Sequence, residues 1–206
     1  MRIQHKGDTG IKLAAMVVLL LVAPFMATAQ KFDGGMMLHS GFLKAQLPAI
    51  GSDVTGVPWG MGGVVRWHAV KGLRVGGEGY VSTVSKPNFE SLSYNTDGSF
   101  IRVGWGGLVL DYYWSVGRWF PFAGIGVGGG GSTILLVGNG DTDDWKAGPL
   151  TMLHKRAFGY IDPYIGCEMA LKPSIHILVK VDWQLPFGPN EIAAGPRGYV
   201  GVIFIH

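Results

Sequence analysis

The chain has 206 residues, 48% apolar and only 15% charged, with formal net charge +3 and one cysteine, Cys167, which has no internal disulfide partner. Arg2, Lys6 and Lys12 precede the apolar run 13–26 and the small-residue site Ala27-Thr28-Ala29. These are the parts of a cleaved secretory signal, so the expected organisation is a signal peptide over 1–29 and one domain over 30–206. Its removal takes three basic residues and one acidic residue from totals of 17 and 14, leaving 14 against 13 and no electrostatic case for nucleic acid. No second run of about 20 apolar residues follows, so only a barrel could cross a membrane.

The first strand is expected over 32–43, where Met36, Leu38 and Phe42 alternate with Met37, His39 and Gly41. A loop rich in Pro, Gly, Ser and Asp, 44–56, leads to a second strand over 57–69. There Trp59, Met61, Val65 and Trp67 alternate with Gly60, Gly62, Arg66 and His68. Val70-Lys71-Gly72 reads as a tight turn into the third strand, in which Leu73, Val75, Val81 and Thr83 oppose Arg74, Glu78, Tyr80 and Ser82. The polar stretch 85–98, with Pro87 and an Asp97-Gly98 turn signal, reads as a long loop.

Residues 99–133 read as one hairpin. Ile101, Val103, Trp105, Val109 and Tyr113 share one parity; Arg102, Gly104, Gly106, Leu108, Leu110 and Tyr112 share the other. Past the turn 115–118, Ala123, Ile125 and Val127 alternate with Gly124, Gly126 and Gly128. Glycine adds nothing to packing and loses the most backbone entropy, so a file of glycines marks a face where bulky neighbours need the space, as inside a narrow barrel. The loop 137–155 carries Asp141, Asp143 and Asp144 but lacks the spacing and closing glutamate of a calcium loop, and reads as a solvated turn.

The sixth strand, 156–170, sets Ile161, Pro163, Ile165, Cys167 and Met169 against Tyr160, Asp162, Tyr164, Gly166 and Glu168. After a short turn the seventh, 175–185, sets Ile175, Ile177, Val179, Val181, Trp183 and Leu185 against His176, Lys180, Asp182 and Gln184. A Gly/Pro-bearing loop precedes the eighth, 197–206, in which Val200, Val202 and Phe204 alternate with Tyr199, Gly201 and Ile203.

The sum is an all-β chain forming an eight-stranded antiparallel up-and-down transmembrane barrel. Its long connections follow strands 1, 3, 5 and 7 and its short ones strands 2, 4 and 6, the asymmetry of outer-membrane barrels with short periplasmic turns and long extracellular loops. A lipocalin-like soluble barrel would turn its apolar face inward. Here Arg66, Arg74, Glu78, Arg102, Glu168, Lys180 and Asp182 mix both signs on one glycine-bearing face, which favours a charge network in a lumen. Trp59, Trp67, Trp105, Tyr113, Trp114, Trp119 and Trp183 are the expected interfacial aromatics. Phe89, Tyr94 and Trp145 are the expected loop contacts.

Pro121-Phe122-Ala123-Gly124-Ile125-Gly126-Val127-Gly128 and Asp162-Pro163-Tyr164-Ile165-Gly166-Cys167-Glu168 are proline-aromatic-x-glycine strand starts. In these, and over essentially all of 30–206, the chain resembles the small eight-stranded outer-membrane β-barrels of Gram-negative bacteria, the group of the OmpA transmembrane domain and the opacity proteins. The resemblance implies residence in the cell outer membrane, contact with its lipid and lipopolysaccharide, and insertion by the barrel-assembly machinery. That family usually ends in an aromatic residue, whereas this chain ends in Ile205-His206 with Phe204 on the matching face.

Some barrels of this size modify lipid A, which needs a nucleophile beside an oriented base. His39 and Ser40 are adjacent and so point to opposite faces; His176 and Asp182 lie about 20 Å apart along one strand; His68 has no serine beside it. The expected role is therefore structural or surface-interacting through the long loops, without catalytic residues, cofactor or metal, and with an extracellular partner the sequence does not name. A narrow pore and a lipid A-modifying enzyme are the alternatives.

Overall fold

The computed structural model describes residues 31–47, 52–89, 94–138, 151–188 and 195–206. The expected signal peptide, 1–29, lies outside the described residues. The strands are β1 (Phe32–Gly41), β2 (Leu43–Leu47), β3 (Ser52–Gly56), β4 (Trp59–Val70), β5 (Leu73–Val84), β6 (Asn88–Phe89), β7 (Tyr94–Tyr113), β8 (Trp119–Gly138), β9 (Thr151–Lys172), β10 (Ile175–Trp183), β11 (Leu185–Phe187) and β12 (Pro196–Ile205).

Pairing runs β10-β12-β1-β4-β5-β7-β8-β9-β11, and β10 also pairs with β9, so the sheet closes on itself. β10 and β11 both pair with β9 and form one stave, which makes eight staves among the described residues, all antiparallel. Closure leaves no unpaired edge around the belt, which a backbone in hydrocarbon requires.

The tight connections fall where the sequence placed them. Gly72 and Gly117 take positive φ, 87° and 64°, in two of them, and in the second Val116 N–H donates to Trp119 O at 2.9 Å. At the other end the expected 44–56 loop is instead a hairpin: β2 pairs with β3, and β6 adds two residues to it. Leu43, Ala45 and Val54 alternate inward into one apolar cluster with Val84, Ile101, Ile134 and Leu136. A Pro/Gly/Ser/Asp-rich composition hid that alternation. β7, β8 and β9 also run well beyond their expected ends, into stretches read as loops.

The outer belt is apolar, with Met36, Leu108 and Ile165 at 68%, 67% and 66% exposure. Glycines occupy both walls. Gly124, Gly126, Gly128 and Gly130 of β8 face inward, and a Cβ on Gly124 would stand 2.6 Å from Asp111 Cβ and 2.7 Å from the Tyr164 ring. This is the crowding the file implied. On β7, however, the residues sharing Gly104's parity face outward. Register then aligns Gly63, Gly79, Gly106, Gly129 and Gly159 across β4, β5, β7, β8 and β9 in one outward rung, leaving a shallow furrow that ends at β9, where the Phe187 ring lies across Gly159.

Candidate functional site

The lumen holds two tiers of buried charge. Nearer the short turns, Arg66 (3% exposed) donates from Nε to Asp33 at 2.7 Å, from Nη2 to Glu168 at 2.7 Å and from Nη1 to Asp111 at 3.4 Å. Arg74 reaches Asp111 through Nε and Glu168 through Nη1 at 2.7 Å. Its guanidinium lies over the Tyr113 and Phe122 rings at 4.9 and 5.2 Å. These fork-shaped donors fit carboxylate geometry and stack on aromatic faces, which an ammonium does poorly. Three carboxylates face two guanidiniums, and two imidazoles make up the donors. His68 Nε2 donates to Asp33 at 2.8 Å, and His176 Nδ1 to Glu168 at 3.3 Å.

In the second tier Lys180 Nζ donates to Glu78 at 3.1 Å and sits in a cage of Tyr199, Tyr164 and Tyr80 at 4.4, 4.7 and 5.2 Å from the ring centres. Arg197 grips Asp182 with Nε at 2.8 Å and Nη2 at 2.9 Å, reaches Asp162 at 3.4 Å, and stacks on Trp105 at 4.3 Å. Tyr199 hydroxyl donates to Asp182 at 2.6 Å. Tyr164 links the tiers, donating to Asp111 at 3.3 Å while its ring lies beneath Lys180. Buried charges left without such partners would carry desolvation costs of several kcal/mol each.

Of the seven charges expected in the lumen, Arg66, Arg74, Glu78, Glu168, Lys180 and Asp182 lie there. Arg102 does not: it is exposed on the outer wall, over the Phe100 ring at 5.7 Å. At its level the interior is the apolar cluster holding Ile101 and Val103, so β7's parity sends Arg102 outward. The same parity corrects two expected interfacial aromatics. Trp105 is buried against Tyr80 at 5.5 Å, and Tyr113 faces the lumen beside Arg74. Trp59, Trp114, Trp119 and Trp183 are exposed on the outer wall, and Trp67 is half-buried on that face. Trp145 and the side chains of Phe89 and Tyr94 lie outside the described residues.

Asp33, Asp111, Asp162 and Arg197 belong to the network, although the sequence reading left them out. Asp162 and Arg197 had a legible signal, since they share parity with Glu168 and Tyr199 along their strands. Among the described residues the lumen retains a cavity of about 20 Å³ beside Ser82, Gln184 and Arg197, room for about one water. A larger one of about 170 Å³ opens at the short-turn end between His68 and His176.

A closed antiparallel barrel with an apolar wall and a charged interior is a membrane-spanning β-barrel. Its fold is that of small outer-membrane barrels of Gram-negative bacteria. The Neisserial surface protein A superposes at TM-score 0.57 and 10% identity, over 84% of this chain and 96% of that one. OprG from Pseudomonas aeruginosa superposes at 0.54 and 15%, over 86% and 96%. The outer membrane protease OmpT from Escherichia coli matches at 0.46 and 9%, over 87% and 98%, too loosely to bear on activity. No family model matches the chain, and no curated protein matches it in sequence.

Proposed function

We propose that this barrel is an integral outer-membrane protein whose role is structural or surface-interacting, exercised through its long extracellular connections rather than by catalysis or conduction. The observation that carries this reading is the filled lumen, in which two tiers of ion pairs and stacked rings are capped by the apolar cluster around Val54, Ile101 and Ile134. An eight-stranded barrel is just wide enough for side chains to fill. The disposition of the histidines supports the absence of catalysis. Ser40 donates to Pro58 O at 2.8 Å on the outer side, while His39 is ringed by Tyr80, Trp105 and Tyr199 within. His68 and His176 are each engaged by a carboxylate already held by arginine. Outer-membrane lipid and lipopolysaccharide, and the barrel-assembly machinery during insertion, are the partners this reading requires. Phe89, Tyr94 and Trp145 remain the proposed loop contacts with an extracellular partner.

Unheated samples in detergent gels are expected to migrate faster than boiled ones, and the protein to fractionate with the outer membrane. An unshifted band together with recovery in the soluble periplasm would sink the barrel reading. In planar bilayers the purified protein is expected to give no discrete conductance steps, and its expression to leave the lipid A profile unchanged. Regular unitary steps would replace the reading with a pore, and an altered acyl pattern with an enzyme.

A further inference from the structure

On the outward face of the barrel strands, among the described side chains, the charged residues are Arg102 and Lys155, and both are cations. They share one rung. Thr83 of β5 pairs with Arg102 of β7, Arg102 with Thr133 of β8, and Thr133 with Lys155 of β9. Two strand spacings, about 9.5 Å, separate the two cations, with the threonine between them. Arg102 and Lys155 are both exposed, and neither has a carboxylate partner among the described residues.

Their height is informative. Arg102 stands ten residues along β7 from Tyr112, whose ring packs against Trp114 at 5.2 Å on the outer wall near the short turns. Ten residues span about 33 Å of strand, or about 25 Å of height at the usual tilt, which matches the apolar band of an outer-membrane barrel. The pair therefore sits where the outer leaflet's headgroups begin. Beneath it on β7 and β8 the wall is nearly bare. Gly104, Gly131 and Ala157 form the next rung, and Gly106 and Gly129 the one below, where the Phe187 ring lies across Gly159 and bounds the relief on the β9 side. A Cβ added at Gly104 or Gly131 would meet nothing closer than 3.8 or 3.6 Å, so the chain's own packing does not demand glycine at either position.

We propose that Arg102, Thr133 and Lys155, with the glycine-lined wall beneath them, form a site for one phosphorylated lipid of the outer leaflet. The cations clamp the headgroup phosphate and the hydroxyl donates between them, while an acyl chain lies in the furrow. This rests on the outer-membrane orientation of the barrel given above. Charge selects the occupant, because a rung whose two charges are both cationic, at headgroup height with acyl-wide relief below it, complements an anionic lipid, not a neutral one.

The test uses the full-length mature barrel in detergent micelles, titrated with lipid A carrying two phosphates and with its dephosphorylated form, bound lipid being counted by native mass spectrometry. The wild type is expected to retain one phosphorylated lipid, and millimolar inorganic phosphate is expected not to displace it. R102Q/K155Q is expected to bind it about thirtyfold more weakly, at roughly tenfold or less per lost cation. G104L/G131L, which fills the furrow and leaves the cations, is expected to weaken it as well. R118Q, at an exposed short turn, is expected to bind as wild type. Equal affinity of R102Q/K155Q and wild type, equal binding of the dephosphorylated lipid, or displacement by inorganic phosphate would overturn the site. All variants are first checked for heat-modifiable migration; its loss in the wild type itself would instead count against the barrel reading.

Discussion

Arg66→Met is expected to destabilise the barrel by about 3–5 kcal/mol, the usual cost of removing one partner from a buried ion pair. Arg66 satisfies Asp33, Asp111 and Glu168 together, at 2.7, 3.4 and 2.7 Å. Methionine matches much of the stem but leaves the tier with three carboxylates and a single guanidinium, Arg74. Arg66→Lys is expected to recover only part of the loss, because one ammonium cannot present a fork to carboxylates on β1, β7 and β9 at once. Guanidinium unfolding in micelles, followed by tryptophan fluorescence, measures both variants. A loss below about 1 kcal/mol for the methionine variant would mean that the tier is not integral to stability.

The second large effect concerns space. Gly124→Val is expected to cost about 3 kcal/mol, at the upper end of overpacking. Its Cβ alone would lie 2.6 Å from Leu110 O and Asp111 Cβ and 2.7 Å from the Tyr164 ring. Two of those neighbours are backbone or backbone-adjacent and cannot yield, and moving Tyr164 breaks its bond to Asp111 and shifts the ring beneath Lys180. Gly198→Val is the control. Nothing lies within 4 Å of a Cβ there, so a change within about 0.5 kcal/mol is expected in the same assay. Equal losses at the two positions would show that strand propensity, rather than lumen crowding, sets the cost.

The staves were legible because a period of two survives in most of them: Ile175 to Trp183 alternates except at Leu178, and β10 occupies those residues with burial alternating throughout. The lumen was legible where charge and glycine fell on the same parity, as at Arg66 with Gly60 and Gly62 and at Arg74 with Gly76. β7 misled because Gly104 and Gly106 lie on the lipid side and its inward residues are apolar at one level and aromatic at another. Asp111, which shares parity with Trp105 and is buried, carried the signal of its true face but was left out of the reading. The β2–β3 hairpin was missed because four or five residues of alternation do not stand out against Pro, Ser and Asp. Which carboxylate meets which arginine depends on how the sheet curls, and that is set by register around the whole ring rather than by any single strand.

That curl has a consequence for how the protein is made. Arg66 on β4 and Arg74 on β5 both meet Glu168 on β9, and Glu78 on β5 meets Lys180 on β10. These strands are not neighbours in the sheet, so the pairs exist only once the two halves of the wall face each other. A partly zipped sheet would hold the same side chains against hydrocarbon with no counter-charge, at several kcal/mol apiece. Insertion intermediates are thereby penalised, and the final joining of β1 to β12 becomes close to an all-or-none step.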